Sequence, residues 1–180
     1  MNKILAIVGM CGSGKSVASE YLENELGYKK IYFGGVTMKK LKEAGLEVNP
    51  ENEKMMREKL RKELGMGAYA KVLLPEITEL SKNNNVVLDG LYSWTEYKIL
   101  KETIPNLILI SVIADKDIRY NRLTKRDIRP LSEEEAKKRD LAEIENIEKA
   151  PPIAYADYYI YNNGTIDEYI ERLNNILKEI

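Results

Sequence analysis

The chain contains no histidine, one cysteine (Cys11), one tryptophan and one phenylalanine. Without histidine there is no imidazole to ligate zinc or to serve a Ser-His-Asp relay. A single cysteine forms no intrachain disulfide, which fits a reducing compartment, and no histidine is present to activate it as a nucleophile. Charge of neither sign dominates. Lys and Arg number 28 and Asp and Glu 29, a net charge of −1, so no basic field draws nucleic acid or an anionic membrane. No apolar run reaches the roughly 20 residues of a membrane span. The first residues run straight into a strand-like stretch rather than a signal peptide. The expectation is a cytoplasmic protein with no nucleic-acid or membrane partner, monomeric or a small homo-oligomer. Its 180 residues form one domain, 1–180, with room for a true core.

One stretch organises the rest. Gly9-Met10-Cys11-Gly12-Ser13-Gly14-Lys15-Ser16 reads G-x-x-x-x-G-K-S, the phosphate-binding loop or Walker A pattern. The apolar run Lys3–Val8 precedes it, as a buried strand would. Val17 to Leu26 follows with helical spacing and a stop at Gly27. Glycines let main-chain N–H groups curl round an anion, and the helix N-terminus adds its positive dipole end. Lys15 sets a point charge on the β- and γ-phosphates, and the Ser16 hydroxyl is offered to Mg²⁺. The nucleotide-binding residues are therefore expected to be Gly9, Cys11, Gly12, Ser13, Gly14, Lys15, Ser16 and Val17, and the cofactors ATP and Mg²⁺.

Strands and helices alternate beyond the loop. Lys29–Phe33 reads as a second strand ended by Gly34-Gly35, Val36–Ala44 as a short helix, and Pro50 to about Leu64 as a helix capped by Asn49. Ala68–Ser81 is a helix that Pro75 is expected to kink. Val86–Asp89 is the third strand, and Leu107–Ile113 is the most apolar and most central in character. Capping boxes open helices at Ser93–Glu96, Ser132–Glu135 and Thr165–Glu168. Asp115 is read as the cap of a helix reaching about Arg126. The helix after Ser132 is expected to run to about Lys149, where Pro151-Pro152 ends it. Asp157–Tyr161 is the last strand. Such alternation predicts a three-layer α/β/α fold with a five-stranded parallel sheet in the order 2-3-1-4-5. Ligands then gather at the carboxyl ends of the strands.

That rim collects the candidates. Asp89 closes the third strand where it would hold Mg²⁺ opposite Ser16. Seven of the eight arginines lie between positions 57 and 139. Arg122, Arg126 and Arg129 are expected to stabilise the moving phosphoryl from a lid at about 119–139, with Arg119 a weaker choice. Arg57 and Arg61, one turn apart in a helical substrate region at about 36–84, are placed to clamp an acceptor phosphate. Gly35 and Tyr92 would line the same pocket. Thr124-Lys125-Arg126-Asp127 matches the T-K-x-D guanine-reading pattern, but helix rather than strand precedes it, and no D-x-x-G follows the third strand.

These motifs, together with Leu60-Arg61, Arg139-Asp140 and Ala156-Asp157-Tyr158-Tyr159-Ile160-Tyr161-Asn162-Asn163-Gly164, resemble the nucleoside-monophosphate-kinase-like branch of P-loop proteins. The likeness looks closest to dephospho-CoA kinase and to adenylate-kinase-like proteins. It implies a phosphotransferase acting from ATP on a small nucleotide-like acceptor, and it puts Asn163 near the nucleotide base. Dephospho-CoA kinases carry a carboxylate after the second strand, and this chain has Gly34-Gly35 there. An acceptor that is already a phosphate needs no such base. The alternative from another class is a nucleotide-dependent switch with slow ATPase activity and a protein partner.

Overall fold

A computed structural model describes residues 2–127 and 130–180. The phosphate-loop strand, β1 (Ile4–Val8), is buried along its whole length because helices cover both faces of the sheet. It is followed by α1 (Lys15–Asn24), β2 (Lys29–Tyr32), α2 (Gly35–Glu43), α3 (Pro50–Leu64) and α4 (Ala68–Ser81). Then come β3 (Val86–Asp89), α5 (Trp94–Thr103), β4 (Leu107–Ile113), α6 (Lys116–Lys125) and α7 (Glu133–Ile147). The chain closes with α8 (Ala150–Ala154), β5 (Tyr158–Tyr161) and α9 (Ile166–Glu179).

The five strands form one parallel sheet in the order 2-3-1-4-5, as the alternation predicts. Ile4 pairs with Val86 on one side and with Leu107 on the other, so β1 sits in the middle. Alternate residues point to opposite faces. Ala6, Val8, Leu88 and Leu109 pack with Tyr69, Leu73, Ile77 and Leu100 of α4 and α5. Leu5, Ile7, Val87 and Ile110 pack with Ala18 and Leu22 of α1 and with Tyr169 and Leu173 of α9. Full burial of each such valine, leucine or isoleucine contributes about 1.5–3 kcal/mol. A small third cluster of Tyr120, Leu123 and Ala136 joins α6 to α7, and Cys11 of the loop packs against it.

Local signals set the helix ends. Asn49 accepts the Asn52 amide at 2.8 Å, and all three capping boxes are formed. Two expected boundaries move, and two local details differ. The first helix starts at Lys15 rather than Val17, with Gly14 as its cap, so the lysine and serine of the motif belong to its first turn. Asp115 occupies the cap position of α6 with no side-chain cap bond. The helix begun at Ser132 stops at Ile147, where Glu148 turns left-handed at φ 54°. The two prolines therefore do not end it; they stand in the first turn of α8, where a missing N–H leaves no helical bond unmade. Helix α4 is continuous through Pro75. Among the described residues no helix is long and apolar enough to cross a membrane.

Candidate functional site

The loop after β1 is shaped by close approaches. Gly9 lies at φ +150°, and a Cβ there would stand 2.4 Å from the Val112 carbonyl oxygen. Gly14 lies at φ +102°, and a Cβ would meet Asn162 Nδ2 at 2.3 Å. Asn162 Nδ2 donates to the Ser13 carbonyl at 2.8 Å, and the Tyr169 hydroxyl donates to the Gly14 carbonyl at 3.0 Å. Thus β5 and α9 hold the loop by its carbonyls. A helix leaves its first N–H groups without partners inside it, and in α1 these belong to Lys15 and Ser16 at the positive end of the dipole. Gly12 continues the loop between these braces, and the Ser13 hydroxyl is buried without a partner among the described residues.

The Lys15 ammonium folds back to the Met10 carbonyl at 2.9 Å. Burial lowers its pKa to about 8; the Lys149 charge pushes the same way, and Cys11, Glu143 and Asp89 push back. Across the loop, Asp89 ends β3. Its Oδ2 accepts from the Ser19 hydroxyl at 3.0 Å, and Ser19 also reaches the Ser16 carbonyl at 3.0 Å. This puts Ser16 and Asp89 on one rim, linked through Ser19. Among the described residues no group of three or more His, Cys, Asp or Glu is placed to hold a metal by itself. One carboxylate and one hydroxyl suit Mg²⁺, which keeps waters and takes its other ligands from phosphates.

The arginines divide by role. Arg119 is buried and fully committed: it donates to Asp140 at 3.0 and 2.6 Å and to the Cys11 carbonyl at 2.9 Å. It is a strut between the loop and α7. Arg122 reaches Asn162 Oδ1 at 3.4 Å and keeps a buried Nη1 with no partner among the described residues. Arg126 occupies the C-cap position of α6, in extended backbone. Arg129 lies outside the described residues. Along α3, Arg57 pairs with Glu53 at 3.2 Å. Arg61 lies 5.8 Å from the Tyr69 ring centre and has a buried, unpartnered Nε.

Beside Arg61 is Glu96. Its Oε2 accepts the Tyr92 and Ser93 amides at 2.9 and 3.0 Å, while Oε1 is buried without a partner among the described residues. Burial raises its pKa to about 7, against the pull of those two amides and of Arg61. Tyr92 lies behind Asp89, and burial, with Tyr32, Asp89 and Glu143 nearby, holds its phenol far above the ordinary range. Gly35 opens α2, within 3.7 Å of the Tyr32 ring for a Cβ built there. Asn163 turns the other way from Asn162, its Oδ1 accepting the Asp115 amide at 2.9 Å. Val17 begins the α1 face packed against the sheet and bonds back to the Gly14 carbonyl. Thr124 of the T-K-x-D stretch lies within α6 and bonds the Asn121 carbonyl.

Two residues at the site carry no motif, and a third has a role that the motif it belongs to does not disclose. Glu143 accepts from Arg139 Nε at 3.1 Å and from Lys149 Nζ at 2.5 Å, and Lys149 stands 5.2 Å from the Tyr92 ring centre. The Arg139–Glu143 spacing of four gives a faint helical-pair signal. Lys149, placed between a helix end and two prolines, gives none. Asn162 stands in the Asn162-Asn163-Gly164 ending, but the sequence points to Asn163 and misses the bond from Asn162 to the Ser13 carbonyl.

A parallel sheet in this order, with G-x-x-x-x-G-K-S between β1 and α1, defines a P-loop NTPase of kinase-like architecture. Residues 5–148 match the family model described as an AAA domain, and the chain belongs to that family. A UPF0200 protein of Sulfurisphaera tokodaii is 36% identical over 99% of this chain and 97% of its own length. An Archaeoglobus fulgidus UPF0200/UPF0201 protein is 32% identical over 99% of this chain, which spans 56% of that longer protein. Among solved structures, Thermus thermophilus TT1252 superposes with a TM-score of 0.66 at 19% identity, covering 99% of this chain and 98% of the other. Shikimate kinase from Bacteroides thetaiotaomicron does so with 0.63 at 15% identity, covering 98% of each chain. At these identities the likeness is one of fold.

Proposed function

We propose that the protein is an ATP-dependent phosphotransferase that moves the γ-phosphoryl of ATP·Mg to a small nucleotide-like acceptor, of the nucleoside monophosphate or dephospho-CoA type. The observation that supports it most is a pair of incompletely satisfied guanidinium groups on opposite sides of the loop. Arg122 from α6 and Arg61 from α3 each keep a buried nitrogen without a partner among the described residues. A buried, unsatisfied charged donor costs several kcal/mol less once it meets an anion, and a donor and an acceptor phosphate supply two.

In this reading the nucleotide rests on the loop Gly9–Ser16. Lys15 exchanges the Met10 carbonyl for the β- and γ-phosphates. Ser16 and Asp89 would hold Mg²⁺, which supplies charge neutralisation at the bridging oxygens. The hairpin at about 119–139 acts as a lid, with Arg122 on the moving group and Arg126 and Arg129 the further candidates. The insertion of α2–α4 receives the acceptor, with Arg61 its main anchor and Arg57, Gly35 and Tyr92 around it. Asn163 stands towards the base end. The chemistry is positioning plus charge, since phosphoryl transfer asks little covalent help. A cytoplasmic protein of one domain, without nucleic-acid or membrane partners, is the matching context.

A coupled ADP-release assay tests this. ATP·Mg is supplied with each common nucleoside monophosphate and with dephospho-CoA, and Lys15→Ala is the control. Acceptor-stimulated turnover that Lys15→Ala abolishes is the expected result. Slow hydrolysis indifferent to every acceptor would instead favour a nucleotide switch, the reading that Gly34-Gly35 in place of a carboxylate leaves open.

A further inference from the structure

We propose that Lys149 is a second catalytic cation, one that contacts the γ-phosphoryl of bound ATP, and that Glu143 holds its charge in place until the nucleotide arrives. The proposal rests on the phosphotransferase reading above.

The backbone delivers Lys149 to the site by an unusual route. Glu148 is the only non-glycine residue with positive φ among the described residues, in a left-handed conformation that costs such a residue about 1 kcal/mol or more. It is held there from two sides. Its carbonyl accepts the Trp94 amide at 3.2 Å, and its carboxylate accepts the Thr95 amide and hydroxyl at 3.0 and 2.8 Å. The start of α5 thus clamps the α7–α8 corner, and the next residue, Lys149, turns inward until only 3% of it is exposed.

Inside, the charges do not balance as a structural ion pair would. One buried carboxylate, Glu143, faces two cations, the half-exposed Arg139 and the buried Lys149. Pairing with Lys149 and Arg139 outweighs burial and keeps the Glu143 carboxyl below its ordinary range. A third cation, Lys15, is near enough that Lys149 is the strongest charge acting on it. Of the remaining groups, the Asp89 carboxylate accepts from the neutral Ser19 hydroxyl, which leaves two carboxylates against three cations, and the Tyr92 phenol is neutral. Like charges brought together in a buried place raise each other's energy. A buried pair is often less stabilising than apolar residues of the same size, so the excess of positive charge is not explained by stability. It is explained by an anion.

Position selects which phosphate. Lys149 stands over Tyr92, three residues beyond the Asp89 end of β3; in the phosphotransferase reading, which puts the acceptor around Tyr92, this is the acceptor side of Lys15. That side faces the γ-phosphoryl rather than the α-phosphate. During transfer the bond from the γ-phosphorus to the β–γ bridging oxygen breaks, and its electron pair leaves on ADP. A lone pair of the acceptor oxygen forms the new bond. With an acceptor phosphate no proton has to leave, and Lys149 bonds an equatorial oxygen without changing its own protonation. Arg139 accompanies it, and the Lys149 ammonium exchanges its bond to Glu143 for the phosphoryl oxygen, so that Glu143 competes with the nucleotide for it.

Calorimetry with ATP·Mg and with ADP·Mg separates this role from a structural one, because ADP lacks the γ-phosphoryl. Lys149→Met is expected to weaken ATP by about tenfold or more while leaving ADP within about twofold. Lys149→Arg should recover most of the loss. Glu143→Gln removes the competing anion and should tighten ATP severalfold, whereas loss of a structural pair would weaken it. Parallel losses for ATP and ADP in Lys149→Met, or weaker ATP binding by Glu143→Gln, overturn the proposal. If Lys149→Met does not fold, the sign for Glu143→Gln decides. Wild-type protein that binds ATP but shows no acceptor-stimulated turnover sinks the phosphotransferase reading alone, since the ATP-to-ADP comparison still decides on Lys149. Wild-type protein that binds neither nucleotide sinks both.

Discussion

Lys15 should make the empty protein more stable as the solution becomes alkaline, the reverse of the trend for a salt-bridged lysine. Its pKa falls from 10.5 to about 8 on folding, because burial opposes the charge and Lys149 repels it. A lysine depressed in the folded state binds fewer protons there than in the unfolded chain. Stability therefore carries a penalty below pH 8 that is relieved as pH climbs towards the unfolded value. Integrated from about pH 7 to about pH 9.5, the relief is about 2 kcal/mol. For a domain of this size that is a gain of roughly 4–8 °C in Tm. Other groups titrate over the same range, so the quantity to measure is the difference between wild type and Lys15→Met in chemical or thermal unfolding. The difference should move in favour of wild type by that amount as pH rises. Saturating ATP·Mg should erase the trend, since bound phosphates restore the lysine's charge. A difference that stays flat with pH, or that moves against wild type, would refute the account of a buried ammonium waiting for an anion.

Other perturbations read other parts of the site. Gly14→Ala forces a Cβ to within 2.3 Å of Asn162 Nδ2 at a φ that alanine avoids; it should cost about 1–3 kcal/mol in urea unfolding and weaken ATP binding in calorimetry. Arg119→Met leaves Asp140 buried without its bidentate partner and should cost about 3–5 kcal/mol, much of it recovered in the double variant with Asp140→Leu. Glu96 keeps its proton up to about pH 7, so its contribution to stability is whole at acid pH and is lost as pH rises through 7. Glu96→Gln should therefore gain about 2 kcal/mol on wild type between pH 5 and pH 8, as read by paired melts. Arg61→Met should raise the KM for whichever acceptor stimulates turnover while leaving ATP binding by calorimetry unchanged.

The sheet and the phosphate loop were legible because their signals are local. A strand buried on both faces needs a continuous apolar run, and Ile4–Val8, Val86–Leu88 and Leu107–Ile113 supply one each. Capping boxes at Ser93, Ser132 and Thr165 announce helix starts through residues three apart. A parallel order follows once strands and helices alternate, and Asp89 is fixed by its place at a strand end. The α7–α8 corner was not legible, because two prolines stop a helix or start one with the same residues. Only the left-handed turn at Glu148, imposed by Thr95 from another element, decides between the two.

The same distinction explains which charges could be assigned by reading. Lys15 belongs to a motif because its role depends on neighbours in the chain. Arg119 and Arg122 share a helix and a spacing, so no local feature separates them. One is a strut and the other keeps a nitrogen without a partner among the described residues, because Asp140 lies beside the first and Asn162 beside the second. Lys149 goes further still. Composition places lysine on surfaces, and a buried one needs a partner such as Glu143; in the proposal above an arriving anion is the second. A buried charge is thus a statement about distant residues and about a ligand, and it becomes readable only when the fold has brought those together. That is why the loop announces a nucleotide from the sequence, while the groups that would act on its last phosphate emerge from the packing of α5 against the α7–α8 corner.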